Sequence, residues 1–163
     1  MVHSRAAPLA IFVLSVAIVG AALLAQYWGG LRPCELCLYE RWPYYVVALV
    51  ALIAAVVGGR GTSRAVLALA GLLFAAGAVL AFYHAGVEFH WFAGPGACTG
   101  AALDTSSAAA LRAQLLATPP VRCDEVQWSL FGISLAGWNF VASVILAAFC
   151  WLAPALTISA ACT

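Results

Sequence analysis

Four of the six cysteines in this chain fall into two groups, and the spacing of the first group is suited to redox chemistry. Cys34 and Cys37 lie in Pro33-Cys-Glu-Leu-Cys, and Cys98 and Cys123 follow much later. A disulfide between cysteines separated by two residues closes a very small loop, so it gains little chain-entropy stabilisation and is readily opened. The spacing of the first pair therefore suits redox turnover better than covalent stapling.

The neighbours of the first pair favour a reactive thiolate. Arg32 and Arg41 bracket it, and an apolar segment follows that starts with Trp42-Pro43, where proline is acceptable in a first helical turn. Nearby cations and a helix N-terminus both favour thiolates, so we expect the positive end of that helix to point at Cys37. From the residues alone, a redox centre, a structural disulfide and two ligands of a zinc site all stay open.

Two histidines, His84 and His90, could complete a zinc site with the first pair. They are six residues apart, which lies outside the usual spacing of histidines in Cys₂His₂ sites. We therefore expect no metal. His84 lies near the end of an apolar run, where a histidine is a candidate functional residue; a hydrogen-bonded packing role is its alternative.

The composition decides what kind of protein positions these residues. The 163 residues are 66% hydrophobic and 8% charged, with a net charge of +1 and a mean hydropathy of +1.04. Soluble domains carry about 25% charged residues, and disordered chains need low hydrophobicity. Both classes are excluded, and no basic face for nucleic acid is present. The composition predicts an integral membrane protein that contacts lipid.

Four charge-poor runs predict four membrane-spanning α-helices in one domain, 1–163. About 20 apolar residues cross the bilayer as a helix, and the runs do not alternate as β-barrel strands do. The first run is longer than the apolar part of a signal peptide, so we expect it to be retained. The predicted fold is an all-α four-helix membrane bundle with spans at about 9–26, 42–57, 65–87 and 138–158.

The arginines and aromatic residues predict the orientation. The short turn with Arg60 and Arg64 is expected on the cytoplasmic side, together with both termini, and many aromatic side chains fall at the opposite interface. The loops at about 27–41 and 88–137 then face outside, where disulfides persist. In the long loop, Asp104-Thr-Ser-Ser predicts a short helix reaching about Ala117.

At this point the residues resemble a known family. Pro33-Cys-Glu-Leu-Cys-Leu-Tyr-Glu-Arg41 is similar to the P-C-x-x-C-x-Y-E-R signature of the disulfide bond formation protein B family, DsbB. Two later stretches agree, Tyr83–Glu88 running to Cys98, and Cys123–Trp128 running to Trp138. The resemblance covers the whole chain in order.

The resemblance implies a quinone-dependent thiol oxidase in the bacterial inner membrane, with its active loops in the periplasm. Its partner would be a soluble DsbA-like dithiol oxidase of thioredoxin fold. By this analogy the partner attacks Cys98 of a Cys98–Cys123 disulfide, and Cys123 passes the electrons to Cys34. All four outer cysteines are then catalytic, and Cys37 delivers the electrons to the membrane quinone pool.

The resemblance also implies a quinone site. Arg41 matches the family's quinone-site arginine, His84 matches a residue near the ring, and Cys37 lies beside them. The quinone would be ubiquinone or menaquinone. Cys150 and Cys162 match no position of the motifs.

Two other interpretations compete with this one. Vitamin K epoxide reductase-like proteins share a four-helix architecture, but usually carry the quinone-facing C-x-x-C near their last helices, whereas here it precedes the second span. The other is a structural membrane protein whose outer disulfides stabilise its loops.

Overall fold

The computed structural model describes residues 3–57, 59–95, 106–116 and 121–159. Four long helices dominate it: α1 (His3–Tyr27), α3 (Trp42–Val57), α4 (Arg60–Glu88) and α6 (Leu135–Ser159). The shorter elements are α2 (Glu35–Tyr39), α5 (Ala108–Leu116), β1 (Ser129–Leu130) and β2 (Ile133–Ser134).

The predicted four-helix membrane fold is confirmed. Four helices are long and apolar enough to cross a membrane, and each contains one predicted span. The second candidate membrane helix runs from Glu35 to Val57 and joins α2 to α3, whereas the second predicted span, 42–57, covers α3 alone. The other three helices extend a few residues beyond their predicted spans. The stretches without charged residues therefore located all four spans but missed the charged beginning of the second one.

Many small side chains are buried inside the bundle, and many large apolar ones are exposed on its outside. The buried core includes Ala51, Ala70 and Ala147, whereas Leu49 and Val79 are more than 60% exposed. In water such an exposed surface would be a liability. In a bilayer it is the surface that lipid covers, and close packing of small residues holds the helices together.

Gly71 shows how closely two of these helices approach. A Cβ atom at this position of α4 would overlap the indole ring of Trp151 on α6. A side chain here would displace the Trp151 ring from its contact with α4, so the glycine lets this ring pack directly against the helix.

The packing order leaves one seam of the bundle open. α1 packs on α3, α3 on α4 and α4 on α6, whereas α1 and α6 have few contacts with each other. The end of this seam, near the C-terminus of α1 and the N-terminus of α6, is where the functional cavity lies.

A small β-hairpin precedes α6 and was not predicted. β1 and β2 pair antiparallel, with Ser129 opposite Ser134. The two turn residues, Phe131 (φ 53°) and Gly132 (φ 79°), both have positive φ, as a type I′ turn requires. Strands of two residues are too short to show a periodic pattern.

The helix predicted in the long loop is α5. It begins at Ala108, and the backbone N–H of Ala110 donates to Ser107 Oγ at 3.0 Å. The helix ends at Leu116, close to the predicted end at Ala117. The predicted cap at Asp104 lies outside the described residues.

The structure corrects the predicted relation between Cys37 and a helix N-terminus. We expected the helix to begin at Trp42 and to point at Cys37. A helix, α3, does begin at Trp42, but a separate short helix, α2, begins at Glu35 and contains Cys37. Cys34 is the N-cap residue, and its Sγ accepts the backbone N–H of Cys37 at 3.3 Å.

Candidate functional site

The Cys34 and Cys37 side chains form a close pair at one end of the bundle. Their Sγ atoms are 2.8 Å apart. Cys34 is buried, with 2% of its surface exposed, whereas Cys37 is half-buried. The two thiols therefore share one location but differ in access.

A histidine and a carboxylate lie directly behind Cys34. His84 Nε2 is 3.5 Å from Cys34 Sγ, and His84 Nδ1 is 2.7 Å from Glu40 Oε1. Both side chains are buried. Because Glu40 belongs to the turn after α2 and His84 to α4, this contact joins the dithiol segment to the third span.

A chain of hydrogen bonds continues from Glu40 to α6. Asn139 Nδ2 donates to Glu40 Oε2 at 2.7 Å, and Tyr44 OH donates to Asn139 Oδ1 at 2.6 Å. Tyr44 OH is also 2.8 Å from Ser143 Oγ. Both oxygens of Glu40 are therefore hydrogen-bonded.

The surroundings of Cys34 keep its thiol protonated. The hydrogen bond with Cys37 is the largest cause and burial the second, and together they raise the pKa of Cys34 to about 12. The hydrogen bond with His84 acts in the opposite direction. In the reduced pair, the Cys34 thiol therefore keeps its proton at neutral pH.

A cavity of about 730 Å³ opens beside the dithiol. This volume falls within the range of pockets that hold small organic molecules, about 300–1,000 Å³. Small apolar residues of α1 form one wall, including Ala21, Ala22 and Ala25, and α6 contributes Ala136 and Ala142 opposite.

Polar groups gather at the dithiol end of the cavity. The lining there includes Cys37, Arg41, His84 and Glu88. Arg41 Nη1 donates to Gln26 Oε1 at 2.8 Å, which fixes the guanidinium against the end of α1. The cavity thus combines a long apolar wall with a cation and a thiol at one end.

The segment with Cys123 covers this end of the bundle. Cys123 is 1% exposed and belongs to one buried cluster with Cys34, Leu36 and Val87. Of the residues that follow it, Glu125, Gln127 and Trp128 line the cavity, and so does the preceding Arg122. The structure therefore brings the second cysteine group to the first.

Ion pairs shape this segment at the surface. Arg122 donates to Asp124 through Nε at 2.9 Å and Nη2 at 2.6 Å, and its Nε lies 3.1 Å from Glu125 Oε1. The Arg122 hydrogen bonds hold the pKa of Asp124 below its usual value. Cys123, between the two charged neighbours, is the residue that turns inward.

Three side chains at the site have the chemistry of metal ligands. The ligand atoms of Cys34, Cys37 and His84 lie within 4.8 Å of one another. His90 does not belong to this group; it is exposed, and its Nδ1 contacts the backbone oxygen of Glu88 at 3.0 Å. The expectation that the site holds no metal stays a prediction.

Comparison with known proteins agrees with this arrangement. The family model of disulfide bond formation protein DsbB matches residues 4–153. The chain belongs to the DsbB family. Proteins called disulfide bond formation protein B are similar to it in Aromatoleum aromaticum (30% identity; 90% of this chain and 89% of the relative) and in Methylococcus capsulatus (31% identity; 85% and 86%).

A third relative of that name, from Hahella chejuensis, is 30% identical over 86% of this chain and 89% of its own length. No solved structure matches the chain. Membership in the DsbB family makes this chain a multi-pass membrane protein of disulfide bond formation with disulfide oxidoreductase activity.

Several predicted site residues come together in the structure, and others cannot be placed. Cys34, Cys37 and His84 meet at the dithiol, Arg41 lines the cavity and Cys123 lies in the adjoining cluster. Cys98 and Cys162 lie outside the described residues. Cys150 is buried within α6, in the bundle core.

The polar chain behind the dithiol was not predicted from the sequence. Glu40 and Tyr44 are four residues apart, and so are Asn139 and Ser143. Polar residues at this spacing share one helix face, and inside apolar spans they are expensive and functional. That spacing is the signal that could have revealed them.

The difference between the two thiols predicts which one reacts first. In the fully reduced chain at pH 7, a brief pulse of a thiol-alkylating reagent should modify Cys37 well before Cys34. Cys34 is buried and has a raised pKa, and only thiolates react. Its labelling should rise by about tenfold per pH unit while the pH stays below that pKa.

Peptide mass spectrometry after quenching measures both sites in one sample. Cys150, which is buried in the core, serves as the internal reference for an inaccessible thiol. Faster labelling of Cys34 than of Cys37 at pH 7 would contradict the assignment.

Proposed function

We propose that this protein oxidises a soluble periplasmic dithiol protein of thioredoxin fold, DsbA-like, and passes the electrons to a membrane quinone. One observation carries the proposal. The dithiol lines an apolar cavity, and its buried member, Cys34, belongs to one buried cluster with Cys123. A thiol relay from a water-soluble donor to a lipid-soluble acceptor needs this arrangement.

The cavity has the properties that a quinone requires. Its apolar walls suit an isoprenoid-bearing ring, and the few contacts between α1 and α6 leave a side route from the bilayer. When bound, ubiquinone or menaquinone supplies a two-electron acceptor. Arg41 and His84 would hold its polar end next to Cys37, since guanidinium and imidazole groups donate hydrogen bonds to carbonyl oxygens.

The cysteines would then act in a fixed order. The partner's thiolate attacks Cys98 of a Cys98–Cys123 disulfide, which releases Cys123. Cys123 attacks Cys34 and displaces Cys37 as a thiolate, so one disulfide is exchanged for another at each step. The burial of Cys123 in one cluster with Cys34 supports this order.

The proposed location follows from the same chemistry. Disulfides persist on the oxidising side of a membrane, so the dithiol end of the bundle faces the periplasm. Both termini and the Arg60–Arg64 turn are then cytoplasmic, and the chain forms one domain in the bacterial inner membrane.

A zinc site is the second candidate function, because Cys34, Cys37 and His84 are close enough to share an ion. Glu40 bonded to His84 Nδ1 resembles the outer support of many metal-ligating histidines. Zinc would hold both thiols reduced whether or not quinone is present. Quinone-dependent turnover therefore separates the two functions.

The cavity predicts a role for Arg41 in quinone binding. Arg41→Ala should raise the apparent KM for quinone or lower turnover by about 5- to 150-fold, as expected for the loss of a charge-assisted contact of about 1–3 kcal/mol. Steady-state oxidation of a reduced dithiol partner at varied quinone concentration measures this.

The matched control is Arg32→Ala, an exposed arginine of the same segment that does not line the cavity. It should leave the quinone kinetics unchanged. Wild-type kinetics in Arg41→Ala would remove Arg41 from the site, and equal losses in both variants would point to a general effect of charge.

The proposed order also predicts which cysteine traps the partner. In Cys123→Ser, the thiol that passes electrons inward is missing. A partner that lacks its own resolving cysteine should accumulate as a covalent complex through Cys98, because a mixed disulfide normally resolves only when a second thiol attacks it. Non-reducing gels should show the complex, and reductant should remove it.

The comparison variant is Cys98→Ser, which should trap far less partner. Trapping through Cys123 instead would reverse the two roles but keep the function. If neither variant traps a thioredoxin-fold dithiol while both remain folded in the membrane, the structural interpretation is favoured.

A further inference from the structure

The hydrogen bonds of the buried polar chain behind the dithiol all run in one direction. We propose that Asn139, Tyr44 and Ser143 are positioning residues that act through Glu40 to hold His84 against Cys34, so that His84 stabilises the Cys34 thiolate. The inference rests on the proposed function, in which Cys34 acts both as attacked sulfur and as nucleophile.

The direction follows from which groups can donate. An ionised carboxylate only accepts hydrogen bonds, so the Asn139 amide must present its NH₂ group to Glu40 and its oxygen to Tyr44. The Tyr44 hydroxyl donates to that oxygen, and its own oxygen then accepts from Ser143. Every donor in the chain thus points toward Glu40.

This alignment supplies the hydrogen bonds that a buried carboxylate requires. Glu40 is 6% exposed, and Tyr44 and Ser143 are more deeply buried still. A buried charge persists only when it is paired and hydrogen-bonded. Aligned donors therefore keep a negative charge beside His84 inside the bundle.

Glu40 in turn fixes the orientation and charge of His84. Its Oε1 accepts from Nδ1 of the ring, which leaves Nε2 facing Cys34 Sγ. An imidazole whose Nδ1 bonds a carboxylate is stabilised in its protonated form. His84 then donates Nε2–H to the sulfur and favours the thiolate.

Few other ionisable groups surround this ring in the described part of the chain. Cys37 lies beyond Cys34, and Glu88 accepts a hydrogen bond from the Ser134 hydroxyl. Glu88 lines the same cavity as His84.

The consequence concerns the two steps in which Cys34 needs a thiolate. When another thiolate of the relay attacks Cys123 in a Cys34–Cys123 disulfide, that S–S bond breaks and the electron pair stays on Cys34. When the Cys34–Cys37 disulfide is regenerated, the Cys34 thiolate supplies the electron pair of the new S–S bond, both thiol protons are lost, and two electrons pass to the quinone of the proposed function. A hydrogen bond from His84 lowers the barrier of both steps, and it opposes the effect of the reduced Cys37 thiol on Cys34.

The test needs neither partner nor quinone. In a full-length chain in which Cys34 is the only cysteine, the rate of reaction with a small thiosulfonate reagent is measured from pH 6 to pH 10. Asn139→Leu should lower the rate at pH 7 by about tenfold, which corresponds to about one pKa unit. The difference should shrink once the pH passes the pKa of Cys34 in the parent chain, so the profile is extended until the rate no longer rises.

The effect on the reaction rate should also decrease with distance from Glu40 along the row of hydrogen-bonded side chains. Tyr44→Phe, which keeps the ring, should lower the rate less than Asn139→Leu does, and Ser143→Ala should lower it least. If Asn139→Leu does not fold, Tyr44→Phe decides the outcome through the same pH profile.

Two controls separate positioning from stability. Ser15→Ala removes another buried hydroxyl, one whose Oγ has no hydrogen-bond partner among the described residues, and should leave the profile unchanged. Val47→Ala removes core volume and should lower the thermal midpoint without moving the profile.

Two results would overturn the inference. An unchanged pH profile in Asn139→Leu and Tyr44→Phe would show that the polar chain does not act on Cys34. A profile that keeps the midpoint of the parent chain while its plateau rate falls would show that the variants change only access to the thiol. Either result would leave the proposed function untouched, because quinone-dependent turnover is measured in a separate experiment.

Discussion

The organisation of this bundle depends on one buried carboxylate. Glu40 follows the dithiol helix directly, and each of its oxygens is bonded to a residue of another span, His84 on α4 and Asn139 on α6. Loss of one partner of a buried charge pair typically costs about 3–5 kcal/mol. Glu40 therefore locks three spans together at the end where Cys34, the cavity and the Cys123 segment meet.

Part of this structure could be predicted from the sequence because the signals are local or periodic. Absence of charge over about 20 residues locates a span, and α3 was predicted to the residue. The C-x-x-C spacing and Arg41 identified the dithiol, because the whole motif lies within nine consecutive residues. The single domain, the orientation of the chain in the membrane and the order in which the cysteines react rest on the family resemblance and on chemistry. They stay predictions.

The rest could not be predicted because it depends on which residues of different spans face each other. Fifty residues separate His84 from Cys34, and 99 separate Asn139 from Glu40. In a membrane helix the outer face is as apolar as the core, so periodicity does not show the direction of each face. The open seam between α1 and α6 likewise depends on the packing order and not on any one segment.

The redox state of the dithiol in lipid tests the central claim most directly. The full chain is reconstituted in quinone-free vesicles, given a reduced dithiol protein of thioredoxin fold, and its thiols are trapped with an alkylating reagent that shifts the band on a gel. The account predicts that Cys34 and Cys37 accumulate reduced, and that added ubiquinone or menaquinone reoxidises them. The same thiol state with and without quinone would contradict it.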